Sequence, residues 1–74
     1  MKLSELEVGQ HARIKKIESK DELKQRFYSF GIVKGSYIDV EAVSLARNTM
    51  EINTEDTSIG IRVDEASQIE VELI

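Results

Sequence analysis

The sequence predicts a mostly β chain in which five short strands and one helix form a small barrel. Five segments alternate apolar and polar residues, one segment has helical spacing, and turn-forming residues separate the segments. Because exposed strand edges promote aggregation, five short strands favour a closed or half-closed barrel. With a length of 74 residues, the chain is expected to form a single domain over residues 1–74.

The first strand is predicted over residues 11–17. Ala12 and Ile14 alternate there with basic residues, which is typical of a strand with one buried face. The alternation breaks at Lys16 and Ile17, and this break predicts a bulge or the end of the strand.

The helix is predicted over residues 20–30, directly after the first strand. Ser19 and Glu22 have the spacing of a capping box, in which each side chain accepts a hydrogen bond from the other residue's backbone N–H. Gly31 suits the left-handed position that ends a helix. Gly35 marks a turn four residues later.

Leu23, Phe27 and Phe30 fall on one face of this helix and are expected to pack on the barrel. Phe27 and Phe30 are predicted core residues, together with Ile61. Arg26 lies near the edge of this face, so its guanidinium is expected to pair with a carboxylate.

The remaining strands follow the same alternating pattern. They are predicted over residues 37–44, 49–53, 58–63 and 68–73. Strict alternation places Ala42, Val63 and Leu73 on the buried side, and residues 64–66 are expected to form one helical turn. An SH3-like barrel with a helix inserted after the first strand fits this order.

Composition and charge exclude several classes of function. The net charge of −4 argues against a general nucleic-acid binder, which needs a basic surface. The absence of Cys removes disulfides, thiolate metal sites and cysteine nucleophiles. No apolar run exceeds two residues, so neither membrane insertion nor an export signal is expected, and a cytoplasmic location is predicted.

The sequence offers no catalytic constellation, and the protein is not expected to be an enzyme. His11 is the single histidine, whereas a metal site needs several converging ligands. No serine lies in a nucleophile-elbow pattern, and the four glycines are too far apart for a phosphate-binding loop. We therefore expect no cofactor and no metal site.

Charge is distributed unevenly along the chain. Residues 1–34 carry eight basic and five acidic residues, whereas residues 35–74 carry two basic and nine acidic residues. Such a distribution can orient a partner during its approach, although a solvated surface that is merely lopsided is the simpler explanation.

Protein recognition remains as the expected function, and the helix and its exit are the predicted site. Tyr28 lies about 100° around the helix from Phe27, off the buried face, and shares its own face with Lys24. Exposed tyrosines are enriched at interfaces, although Tyr28 covering the end of the barrel is the alternative. The predicted partner-binding residues are Lys24, Tyr28, Lys34 and Tyr37.

The order of these segments resembles the FeoA family of bacterial ferrous iron transport. Residues 26–32, Arg-Phe-Tyr-Ser-Phe-Gly-Ile, are similar to the family's Arg-Leu-x-x-Leu/Met-Gly-Leu/Ile, and Gly35 follows at the family's spacing. Residues 61–66 are similar to the family's Leu-Arg-x-x-Glu-Ala. The chain departs from the pattern at Lys34, where the family usually has Pro, and at residues 45–48, which lack the common Ala-Pro element.

The resemblance implies an SH3-like barrel that binds and regulates a FeoB-type transporter with a cytosolic GTPase domain. It implies no enzymatic activity, and although the family is associated with transition metal ion binding, the sequence shows no ligand set for tight iron binding. The alternative is a stand-alone SH3-like interaction module, including a partner of a metal-dependent transcriptional repressor, because the same domain type occurs in such repressors.

Overall fold

The computed structural model describes all 74 residues and contains the predicted elements in the predicted order. A short 3₁₀ turn at Leu3–Glu5 precedes the first strand. The remaining elements are β1 (His11–Ile17), α1 (Asp21–Ser29), β2 (Tyr37–Val43), β3 (Thr49–Asn53), β4 (Ser58–Arg62), α2 (Val63–Ala66) and β5 (Ile69–Leu73). The predicted mostly β class with five antiparallel strands is confirmed.

The strands form one sheet in the order β4-β3-β2-β1-β5, and no pairing between β4 and β5 closes it. The first half of β2 pairs with β1, and its second half pairs with β3. The free edge of β5 is partly covered by the first residues of the chain, because the Val71 N–H donates a 2.8 Å hydrogen bond to the Met1 carbonyl. Of the predicted closed and half-closed barrels, the half-closed one is therefore observed.

Two bulges interrupt the pairing, and only one of them was predicted. The irregularity between Ile14 and Lys16 in β1 is the expected one. A second lies between Val40 and Ala42 in β2. It shifts the alternation by one residue, so Ala42 is exposed and Val43 packs against the core instead. The prediction that Ala42 faces inward was therefore wrong.

The end of α1 matches its prediction, whereas its start does not. Gly31 has φ +85°, and the N–H groups of Gly31 and Ile32 donate to the carbonyls of Tyr28 and Phe27, both at 3.0 Å, which completes a Schellman motif. The predicted capping box is wrong. The helix begins at Asp21 with Lys20 as its N-cap, so Ser19 lies one residue before the position that a capping box requires, and its buried Oγ has no hydrogen-bond partner.

Fifteen buried residues form one apolar core. Phe27 and Ile61 belong to it as predicted, whereas Phe30 is half-buried and packs against its edge. Two strand-end predictions were wrong. Val63 starts α2 instead of ending β4, and Leu73 is exposed at the end of the edge strand β5.

Candidate functional site

Lys24 and Tyr28 lie together on the solvent side of α1. The Lys24 Nζ is 6.0 Å from the centre of the Tyr28 ring, within the range of a weak cation–π contact. Tyr28 is 45% exposed while the neighbouring Phe27 is buried, as their angular separation on the helix predicts. The helix therefore presents an aromatic ring and an ammonium group side by side.

Lys34 lies on a turn that is hydrogen-bonded to β1, and Tyr37 follows this turn as the first residue of β2. The Gly35 N–H donates to the Ile14 carbonyl and the Ile14 N–H donates to the Ser36 carbonyl, both at 2.8 Å. Gly35 has φ +90°, a conformation that glycine adopts without strain. The turn is thus a fixed platform for these two side chains.

Tyr37 lies between two adjoining cavities of about 420 and 250 Å³. Tyr37, Thr54 and Glu55 line both cavities, and we call the two adjoining cavities together the Tyr37 groove. One wall is the turn that carries Lys34, and the other is the β3–β4 loop with Glu55 and Asp56.

The charged residues of this groove have no ion-pair partners within the chain. Six ion pairs occur elsewhere, and none includes Lys34, Asp39, Glu55 or Asp56. Lys24 on α1 is also unpaired. Their charges are therefore available to a partner.

The four predicted site residues form two pairs, Lys24 with Tyr28 and Lys34 with Tyr37, which are not linked directly. No hydrogen bond or ion pair connects Lys24 or Tyr28 with Lys34 or Tyr37. Gly31 closes the helix and also lines the Tyr37 groove, so the two pairs flank the helix exit.

Comparison with known families settles what kind of domain carries this site. The family model described as the FeoA domain matches residues 1–73. The chain belongs to the FeoA family. Within this family it is 38% identical over 74 residues to a Campylobacter jejuni protein named as Fe(2+) transport protein A, covering 100% of both chains. The family links the chain to ferrous iron transport.

A second FeoA relative is a fusion protein of Porphyromonas gingivalis, named as Fe(2+) transport protein A joined to the Fe(2+) transporter FeoB. It is 34% identical over 74 residues, and the matched part is 9% of its length.

Solved FeoA structures share the fold. The solution structure of iron(II) transport protein A from Clostridium thermocellum superposes with a TM-score of 0.94 at 35% identity, over 100% of this chain and 46% of the other. The zinc complex of Stenotrophomonas maltophilia FeoA, described as an SH3 domain protein, superposes with a TM-score of 0.85 at 24% identity, over 97% and 89%. At that identity the likeness shows the fold, which confirms the SH3-like prediction.

The two segments that resemble the FeoA pattern touch in the folded chain. Arg26, in the first segment, donates a 3.0 Å hydrogen bond from Nη1 to Oε2 of Glu65 in the second segment. This confirms the prediction that Arg26 pairs with a carboxylate. Glu65 also accepts a 3.0 Å hydrogen bond from the Arg62 N–H at the start of α2. In this chain the Glu65 side chain therefore links the end of β4 and the start of α2 to α1.

Sequence reasoning missed Glu55, Asp56 and Ile74 as parts of the FeoA surface around Tyr37. In the sequence these acidic residues belong only to the connection between the strands predicted over 49–53 and 58–63. In the structure Asp39 pairs opposite Asn53, and this register brings the β3–β4 loop next to Tyr37. Treating the two strands as a hairpin and extending their register would have revealed the proximity.

No group of three or more His, Cys, Asp or Glu residues is arranged to hold a metal ion. Neither helix is long and apolar enough to cross a membrane.

Proposed function

We propose that this chain is a non-enzymatic cytoplasmic accessory protein that binds the FeoB-type ferrous iron transporter and regulates it. The observation that carries the proposal is the Porphyromonas gingivalis fusion, in which the related domain and the transporter form one polypeptide. Fusion keeps two parts at a high effective concentration, which favours their association. In this proposal residues 1–74 act as one domain whose surface contacts the transporter.

The surface at the helix exit supports such a role. Tyr28 and Tyr37 offer large, half-exposed aromatic rings, the side-chain type enriched at the energetic centres of interfaces. Lys24 and Lys34 add unpaired positive charges beside them, and charges at an interface rim act mainly on association rate and specificity. We propose these four residues as the partner-facing set.

The test is an NMR titration of labelled protein with the cytosolic GTPase domain of the FeoB-type transporter from the same organism. It is run with and without guanine nucleotide, and then with the full transporter in a lipid nanodisc. We expect shifts clustered at residues 24–37. Shifts elsewhere would keep the function and reject these four residues.

Matched variants separate contact from unfolding. Tyr28→Ala and Tyr37→Ala are expected to weaken the complex, whereas Leu45→Ala, which truncates the fully exposed residue of the β2–β3 loop, leaves it unchanged. No binding to the nanodisc form, together with unchanged iron uptake in a deletion strain, would reject the proposal. Specific binding to a metal-dependent repressor instead would favour the stand-alone interaction module.

A further inference from the structure

We propose that the Tyr37 groove binds a basic, aliphatic peptide segment, with an aliphatic side chain against Tyr37 and a Lys or Arg side chain against Glu55 and Asp56. This inference rests on the proposed function, because the segment is assigned to the cytosolic part of the transporter. It also extends the proposed interface from residues 24–37 to the β3–β4 loop.

Three exposed apolar side chains line the groove. They are Val33 (40% exposed) in the larger cavity, Ile74 (71%) in the smaller one, and Tyr37 (52%) in both. Covering such side chains is favourable in proportion to the apolar area removed from water. Tyr37 and Ile74 both line the smaller cavity, whose volume of about 250 Å³ has room for an aliphatic side chain of a partner.

The polar part of the groove is mainly acidic. Glu55 and Asp56 line the larger cavity, and Asp39 lines the smaller one, where it accepts a 3.2 Å hydrogen bond from the Asn53 side chain. Lys34 is the one Lys or Arg side chain on the walls, so the carboxylates outnumber it. None of these carboxylates has a cation within the chain, and an incoming guanidinium or ammonium group would supply one.

Both walls of the groove are held in place before any partner arrives. The turn that carries Lys34 is bonded to β1, and the β3–β4 loop is closed by the Thr54 N–H, which donates to the Thr57 carbonyl at 2.8 Å. The Thr57 N–H donates in return to Thr54 Oγ1 at 3.2 Å. A fixed groove loses little conformational entropy on binding, which favours recognition of a short extended segment.

The first experiment uses two synthetic peptides as probes, acetyl-GIKLRG-amide and acetyl-GIELEG-amide, titrated into labelled wild-type protein. We expect the amides of Tyr37, Thr54, Glu55 and Ile74 to shift with the basic peptide and to remain unchanged with the acidic one. The double variant Glu55→Gln/Asp56→Asn is expected to weaken binding of the basic peptide at least about fivefold.

The matched control is Glu22→Gln/Asp64→Asn, which removes the same charge from two exposed residues outside the groove that form no ion pairs. Equal losses in both double variants would mean that net charge alone drives binding, and this would overturn the proposal. Shifts away from the groove, or equal shifts with both peptides, would also overturn it.

A parallel titration with the nanodisc transporter distinguishes this inference from the proposed function. If the transporter binds wild type and Glu55→Gln/Asp56→Asn equally well, the groove assignment fails and the proposed function stands. If the basic peptide binds in the groove while the transporter does not bind at all, the proposed function fails and the recognition chemistry of the groove stands.

Discussion

Arg26 and Glu65 lie 39 positions apart in the chain and are joined by a 3.0 Å hydrogen bond between oppositely charged groups. Arg26 belongs to α1 and Glu65 to α2, so the bond ties the inserted helix to the connection between β4 and β5. The Glu65 side chain is only 16% exposed, whereas that of Arg26 is 52% exposed. Glu65, the more buried partner, therefore depends on the bond more than Arg26 does.

Truncating Glu65 is expected to cost more stability than truncating Arg26. Glu65→Ala removes the ion pair and also leaves the Arg62 N–H at the start of α2 without its acceptor, so we expect a loss of about 1–2 kcal/mol in the free energy of unfolding. Arg26→Ala removes one half-exposed pair, worth about 0.5 kcal/mol. Urea denaturation of both variants measures the difference. Equal losses would show that Glu65 contributes only through Arg26.

Phe27→Ala is expected to cost about 3–5 kcal/mol, because Phe27 is buried against the core and anchors α1 to the barrel. Tyr28→Ala, at the next position, removes a half-exposed ring and should change the melting temperature by only a few degrees. The two variants form a matched pair, since each deletes one aromatic ring from the same helix. If thermal unfolding followed by circular dichroism gave similar melting temperatures for both, the assigned facing of α1 would be wrong.

The predicted and observed structures agree where local patterns decide the conformation. The alternating pattern correctly predicted both ends of β1 and both ends of β3, and Gly31 correctly indicated where α1 ends. These predictions hold because the signals act within a few residues. The bulge after Val40 and the exposure of Leu73 were not predictable in this way. The bulge depends on how β2 pairs with β3, and the exposure of Leu73 depends on the position of β5 at the edge of the sheet.

The same distinction between local patterns and strand pairing applies to the candidate site. The exposure of Tyr28 follows from helical geometry, whereas the neighbourhood of Tyr37 depends on the β2–β3 register. The capping box failed because a sequence pattern at Ser19 does not specify the residue at which the helix starts.

The Glu70 carboxyl is expected to titrate below ordinary glutamates. Its hydrogen bond from the Met1 ammonium lowers its pKa, with a further contribution from Lys2, while partial desolvation opposes the shift. A carboxyl with a lowered folded-state pKa contributes stability that is present above its unfolded-state pKa and is lost as pH falls through the folded-state pKa. Carbon-detected NMR of the carboxyl groups measures the midpoint directly.

Glu70→Gln tests the consequence of this shift for stability. The variant should be less stable than wild type near neutral pH, and the difference should shrink as the pH falls through the acid range, because protonation removes the same interaction from wild type. Glu51→Gln is the control, since Glu51 makes no ion pair. A stability difference that is constant with pH would assign the effect of Glu70→Gln to packing.

Gly31→Ala is expected to destabilise the fold by about 1–2 kcal/mol, because alanine must adopt the left-handed conformation that Gly31 has at φ +85°. No atom lies within 4 Å of the position that its Cβ would occupy, so the cost is backbone strain and not a clash.

Gly60→Ala is the control: Gly60 lies within β4 at a φ that alanine adopts freely, and its nearest contact would be the Met50 carbonyl oxygen at 3.9 Å. Alanine also restricts the unfolded chain more than glycine does, so Gly60→Ala should be neutral or slightly stabilising. Urea midpoints of the two variants should therefore move apart. Similar midpoints would mean that α1 can end without a residue in the left-handed conformation. The Schellman hydrogen bonds of Gly31 and Ile32 would then contribute little to positioning the turn that carries Lys34 and leads to Tyr37.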